Sequence, residues 1–160
     1  MIADPRAAAR LARFSSLVAR EIRHLAATDA RLFAEPFTPE RAQRLAADED
    51  LAERVEAFAA RFGRLQDTLG ARVLPAWLAA HGEPVGAFSD NLDRAEKLGL
   101  IADAQAWLDM RRLRNQMVHE YVEDPAVLAS ALQAAHEYVP RLTAAAMALL
   151  GDAVTPKDIP

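Results

Sequence analysis

The chain has 160 residues, 52% of them hydrophobic, with a formal net charge of -4 and no cysteine, and its sequence pI is near 5.6. That length and apolar content support one domain with a real core and leave little room for two. The acidic balance argues against a protein that coats nucleic acid through bulk charge, while leaving room for a local cationic patch. Without cysteine, disulfides, thiolate metal sites and a cysteine nucleophile are excluded. Met1-Ile2-Ala3-Asp4-Pro5-Arg6 lacks the apolar core of a signal peptide, and no apolar run approaches the roughly 20 residues that span a bilayer. A soluble, cytoplasmic protein is the expectation.

Asp4-Pro5 reads as an N-cap followed by proline at the first helical position, and Leu11, Phe14, Val18, Ile22 and Leu25 then recur at helical spacing toward an end near Ala30. Two prolines in Glu35-Pro36-Phe37-Thr38-Pro39 predict a loop, and Thr38-Pro39-Glu40 restarts a short helix. From Asp48 the apolar residues Leu51, Val55, Phe58, Phe62, Leu65 and Leu69 are spaced 4, 3, 4, 3, 4, the rhythm of a central bundle helix. Gly63 inside it costs about 1 kcal/mol against alanine and predicts close approach of a neighbouring helix or an interface. Pro75 predicts a kink around Leu74, after which Trp77 and Leu78 lead to a stop at His81-Gly82.

The stretch from Gly82 to Gly86 predicts a loop, Ser89 a cap for a short helix running to Leu98, and Gly99 its end. A helix follows from about Asp103 to Tyr121, anchored by Trp107, Met110, Met117 and Val118; Asp124-Pro125 stops it and caps the next. In that last helix Leu128, Leu132, Ala135, Val139, Leu142, Ala146 and Leu149 repeat the bundle rhythm, with Pro140 as a kink and Gly151 as the stop. No strand-period segment or repeat appears. The expected fold is all-α, an up-and-down four-helix bundle with short additional helices, formed by residues 1–152 and followed by a loose tail, 153–160.

Chemistry concentrates near the end of the penultimate long helix, in Arg114-Asn115-Gln116-Met117-Val118-His119-Glu120-Tyr121, an R-x4-H-x-Y pattern. At about 100° per residue, Arg111, Asn115 and His119 form one row, and Met110, Arg114, Met117 and Tyr121 run down the neighbouring stripe. Arg114 thus stands on a stripe that is otherwise apolar, where a charge needs a partner or a task. Metal-independent RNA cleavage requires a base for the ribose 2′-hydroxyl, an acid for the leaving oxygen and a cation for the charge developing on phosphorus. His119 suits the base or acid, Arg114 offers a guanidinium fork matched to phosphate oxygens, and Asn115 can orient the imidazole or bind a phosphate oxygen. Arg111 and Arg112 thicken the cationic patch and are candidate substrate-binding residues. The alternative reading of Arg114 and His119 is a salt-bridging or capping pair without catalysis.

With Arg114, Asn115, His119 and Tyr121 in this arrangement, the sequence resembles the HEPN superfamily, small all-helical prokaryotic proteins, and the R-x4-H-x-Y form of HepT-like toxins within it. Two further stretches, Phe62 to Gly70 and Asn91 to Leu100, resemble nucleotidyltransferase-associated helical-bundle proteins of the same group. The resemblance implies a metal-independent endoribonuclease toxin of a toxin-antitoxin pair, with RNA as substrate and a minimal nucleotidyltransferase as antitoxin. It further implies a homodimer in which the two motifs face a shared cleft. That would remove a geometric difficulty, since Arg114 and His119 are about 140° apart around one helix. Tyr121 stands where such toxins accept AMP, which would put negative charge and bulk on the cationic site; otherwise it closes the bundle end with its hydroxyl in water. The alternative within the same resemblance is a non-catalytic subunit that presents a substrate or nucleotide to a nucleotidyltransferase, and the blandest reading is a helical scaffold.

Other candidates are weaker. Asp48, Glu49, Asp50 and Glu53 resemble an acidic metal cluster but suit the dipole of a first helical turn. His24 reads as helix surface, and His81 as a helix C-terminal residue. His136-Glu137-Tyr138 repeats the His-x-Tyr piece without the cation and amide, and reads as surface and core. Gln66 and Asp67 lie either on the wet side of their helix or facing the motif from a neighbouring helix or subunit. No phosphate-cradling glycine loop, H-E-x-x-H or nucleophilic-serine elbow occurs, and no metal or cofactor is expected.

Overall fold

The computed structural model describes residues 3–119 and 123–154. Every regular element among them is helical, and none is a strand. Helix α1, Pro5–Leu32, begins at the expected cap, where Asp4 accepts from the backbone N–H of Arg6 at 2.9 Å and of Ala7 at 3.2 Å. It outruns the expected end at Ala30 because Leu32 is buried. Thr38 caps the short α2, Pro39–Gln43, by accepting from the Arg41 N–H at 3.2 Å.

Asp48 caps α3, Glu49–Asp67, accepting from the Leu51 N–H at 3.0 Å, with Glu49 and Asp50 in the first turn. That side chain is therefore engaged with the helix start, as the dipole reading required. The ridge Leu51, Val55, Phe58, Phe62, Leu65, Leu69 is buried throughout. Where a kink was expected at Pro75, the helix widens into a π-helical stretch, Thr68–Val73, before continuing as α4, Leu74–Ala80. Proline supplies no N–H and its ring crowds the carbonyl four residues back, and the wider turn accommodates both. At the end of α4 the His81 ring stacks on Trp77 with centroids 3.8 Å apart, and its Nδ1 lies 2.8 Å from the Trp77 carbonyl oxygen.

Helix α5 spans Phe88–Lys97 with Ala87 at its cap position, so Ser89 lies inside the helix, exposed, and is not the cap. The preceding loop is closed instead by Asn91, 4% exposed, whose amide brackets Gly86: the Gly86 N–H donates to Oδ1 at 2.8 Å and Nδ2 donates to the Gly86 carbonyl at 3.1 Å. Helix α6, Ala104–His119, follows, with the Gln105 N–H bonded to Asp103 Oδ1 at 2.9 Å. Helix α7, Pro125–Leu150, is capped by Asp124, carries Pro140 in its interior and stops at Gly151, whose φ is 71°. Val154, assigned to the tail by the sequence, is buried, its short 3-10 turn packing on α1 and α7.

The long helices pack with alternating sense. Glu21 of α1 meets Thr68 while Thr28 meets Arg61, so α1 runs against α3. Gly63 of α3 and Gly70 of the π-helical stretch that continues it meet Arg114 and Trp107 of α6, so α3 and α6 also run oppositely. Asp29 meets His136 and the Phe37 N–H meets Gln133 Oε1 at 3.0 Å, which brings α7 back along α1. One apolar core joins them, with Leu25, Phe58, Phe62, Met110, Met117, Leu128 and Leu132 fully buried. No helix among the described residues is long and apolar enough to cross a membrane.

Candidate functional site

Helix α6 exposes one face and buries another. Trp107, Met110 and Met117 are buried, while Arg111, Arg112, Arg114 and Asn115 are exposed. Val118, expected as an apolar anchor, is 53% exposed. It lies seven residues after Arg111 and so shares the outward row with Arg111 and Asn115, away from Met117.

Arg114 meets the requirement its position set. A Cβ built on Gly63 would come within 2.9 Å of the Arg114 Cγ and 3.1 Å of its Nε, so the stem of Arg114 lies directly over the glycine of α3. The apolar stem is covered by the neighbouring helix while the guanidinium reaches solvent, which is how a long cation occupies an apolar stripe without a buried charge. Gly63 thus answers to close approach, as the sequence led us to expect. Arg111 is held differently: its guanidinium carbon sits 3.6 Å from the centroid of the Phe88 ring of α5. Phe88 in turn lies over Gly70, where an added Cβ would meet its Cε2 at 2.8 Å.

Gln66 fills the gap between these two glycine contacts. It is 1% exposed, not on a wet face, and its Nε2 donates to the Trp107 carbonyl of α6 at 3.2 Å while its Oε1 is without a partner. Asp67 is half-buried. The Phe62 to Gly70 stretch therefore supplies the seam on which α6 rests, and the Asn91 to Leu100 stretch holds α5 beside it.

The ion pairs among the described residues are Arg94 with Glu83 at 3.6 Å and His136 with Asp29 at 2.7 Å. The guanidiniums of Arg111, Arg112 and Arg114 belong to neither of these pairs. His119 ends α6, and its side chain, like all of Tyr121, lies outside the described residues. The structure thus places Arg114, Asn115, Arg111 and Arg112 together on one exposed helix end. A cavity of about 420 Å³ lies elsewhere, between the start of α6 at Ala106 and Trp107 and the Arg141–Ala148 part of α7. Its alanine-rich wall offers little chemistry.

Sequence reasoning missed two polar groups. Glu21, written between Arg20 and Ile22 as though on a wet face, is 9% exposed; it accepts from the Thr68 hydroxyl at 3.1 Å and leaves Oε2 unpartnered. Burial pushes its carboxyl above the ordinary value of 4.5, against the Thr68 hydrogen bond and the charges of Arg64, Arg72 and Arg20. His136, read as helix surface, is half-buried against Asp29 and stacked on Phe33 with centroids 4.3 Å apart. Burial raises the Asp29 carboxyl, with the His136 hydrogen bond and charge opposing. A carboxylate at helical spacing from apolar neighbours was the available signal in both cases.

No family model, curated protein or solved structure matches the chain.

Proposed function

We propose that this protein is a HEPN-type, metal-independent endoribonuclease that works as a homodimer and is neutralised by a minimal nucleotidyltransferase, by transfer of AMP to Tyr121. The observation that carries the reading is the placement of Arg114, whose stem is fixed on Gly63 and whose guanidinium is exposed and unclaimed by any carboxylate among the described residues. A cation with a constrained stem and a free fork is suited to a phosphate oxygen. In this mechanism His119 takes the proton of the ribose 2′-hydroxyl, the 2′-oxygen attacks phosphorus, and the 5′-oxygen leaves with a proton from a second acid. Arg114 offsets the charge gathered on the phosphoryl oxygens. Asn115, one turn before His119, orients the imidazole or takes a phosphate oxygen. The partner copy brings its Arg114 to this chain's His119, and Arg111 and Arg112 hold flanking phosphates.

The test is cleavage of a cellular RNA pool in EDTA by purified protein, alongside Arg114→Ala and His119→Ala variants of matched helicity. Wild type should cut, and each variant should lose about 100-fold or more, the usual scale for a general acid-base or charge-stabilising group. Failure of folded, unmodified wild type to cut would overturn the ribonuclease reading and leave the non-catalytic subunit in its place, a reading that the net charge of -4 favours.

A further inference from the structure

A second cationic surface lies on the opposite flank of α3, where it packs on α1. A groove of about 300 Å³ is walled there by Leu17, Arg20, Glu21 and His24 of α1 and by Arg61 and Arg64 of α3. Arg23 and Arg72 lie close enough to act electrostatically on His24 and Glu21 respectively. Three guanidiniums, those of Arg20, Arg61 and Arg64, therefore line one groove, with Arg23 and Arg72 near it, in a chain whose net charge is -4. None of them forms an ion pair among the described residues. The one carboxylate in their midst, Glu21, is buried and held toward its protonated form. Desolvation, followed by the nearby guanidiniums of Arg61, Arg23, Arg20 and Arg64, lowers the pKa of His24 below its ordinary 6.5.

The cluster is also built rather than accidental in its centre. Arg61 donates to the His24 carbonyl at 3.2 Å and to the Thr28 hydroxyl, so its charge is tied across the two helices. Arg20, Arg23, Arg64 and Arg72 are exposed around it. From Arg61 through Arg64 to Arg72 the cations span about three turns of the helical path formed by α3 and its π-helical continuation, a line rather than a point. A single phosphate would satisfy one end of such a line; a chain of phosphates satisfies all of it. No aromatic side chain lines the groove, so a strand bound here is held by its backbone, not by stacked bases.

We propose that the α1–α3 groove is a docking track for the phosphodiester backbone of a single RNA strand, separate from the α6 motif and independent of whether that motif cleaves. The test is fluorescence anisotropy with a labelled oligouridylate across a salt series, using the full chain. Arg20→Ala combined with Arg64→Ala removes two exposed groove cations, and Arg6→Ala combined with Arg44→Ala removes the same charge from exposed positions elsewhere. The groove pair should weaken binding about tenfold or more and reduce the salt slope by about 1.4, from roughly 0.7 per phosphate contact on single strands. The control pair should stay within about twofold of wild type. Equal losses in both pairs, no loss in the groove pair, or full competition by AMP or by polyglutamate at matched charge would each overturn the track. Absence of cleavage with groove binding intact would remove the proposed activity and leave this site standing.

Discussion

The helical path of α3 and its π-helical continuation meets its two neighbours in opposite ways. Toward α6 it presents Gly63, Gln66 and Gly70, so side chains of α5 and α6 lie against its backbone and the seam is tight. Toward α1 it presents Arg61, Arg64 and Thr68, and the seam opens into a groove with a buried carboxylate beneath it. The same apolar ridge of Phe58, Phe62 and Leu65 serves both. What differs is the size of the flanking residues: glycine lets a neighbour's arginine lie down on the helix, while α3's own arginines hold their charges in the space beside it. The molecule thus carries one cation fixed by packing and several gathered by mutual placement.

Removing the shared ridge should break both seams at once. Phe62→Ala deletes a ring with 0% exposure and should cost about 3–5 kcal/mol in urea denaturation. A loss under about 1 kcal/mol would mean that the two seams do not depend on a common core.

A smaller change isolates the α1 side. Because burial raises the Glu21 carboxyl above 4.5, the folded chain keeps a proton that the unfolded chain releases. The stability this contributes is complete below pH 4.5 and is lost as pH rises through the folded value, so at neutral pH the ionised group is a burden. Glu21→Gln, which can still accept from Thr68, should gain on the order of 1 kcal/mol at pH 7 and have a flatter stability profile between pH 4 and 7 than wild type. Parallel profiles would show that Glu21 does not titrate in a buried setting.

The finest test falls on the α6 side. Gly63→Ala sets about 1 kcal/mol of helix propensity against the displacement of the Arg114 stem, and the two nearly cancel. Stability should move by less than about 1 kcal/mol while RNA cleavage in EDTA falls at least severalfold. Unchanged cleavage would show that the glycine cradle positions nothing the reaction uses.

Much of this contrast was legible in the sequence. The 4, 3 spacing of Leu51 to Leu69 gave the ridge, the Asp4 and Asp124 caps and the Thr38-Pro39 restart gave three helix starts, and Gly63 signalled close approach. The rest depended on which helix faces which. Glu21 and His136 stand at helical spacing from apolar residues, yet their partners Thr68 and Asp29 come from distant elements, which the sequence alone does not pair with them. Ser89 has the chemistry of a cap, yet α5 starts two residues earlier because Asn91 closes the loop onto Gly86. At the motif, the exposed placement of Arg114 and Asn115 fits the pattern, and the apolar stripe around Arg114 reflects Gly63 opposite it as much as any chemistry.

The π-helical stretch after α3 can be understood as a frameshift in a hydrophobic reading frame. Leu65 and Leu69 are buried four residues apart, and Leu74 and Leu78 are buried four apart, but five residues separate Leu69 from Leu74. An α-helix crossing that gap would turn Leu74 about 140° away from Leu69. The wide turn over Thr68–Val73 absorbs the additional residue and returns both pairs to the core. One continuous helical path therefore carries two frames, and the junction between them is where Thr68 reaches back to Glu21. The polar floor of the groove, Glu21, is thus tied to the point where the apolar register changes.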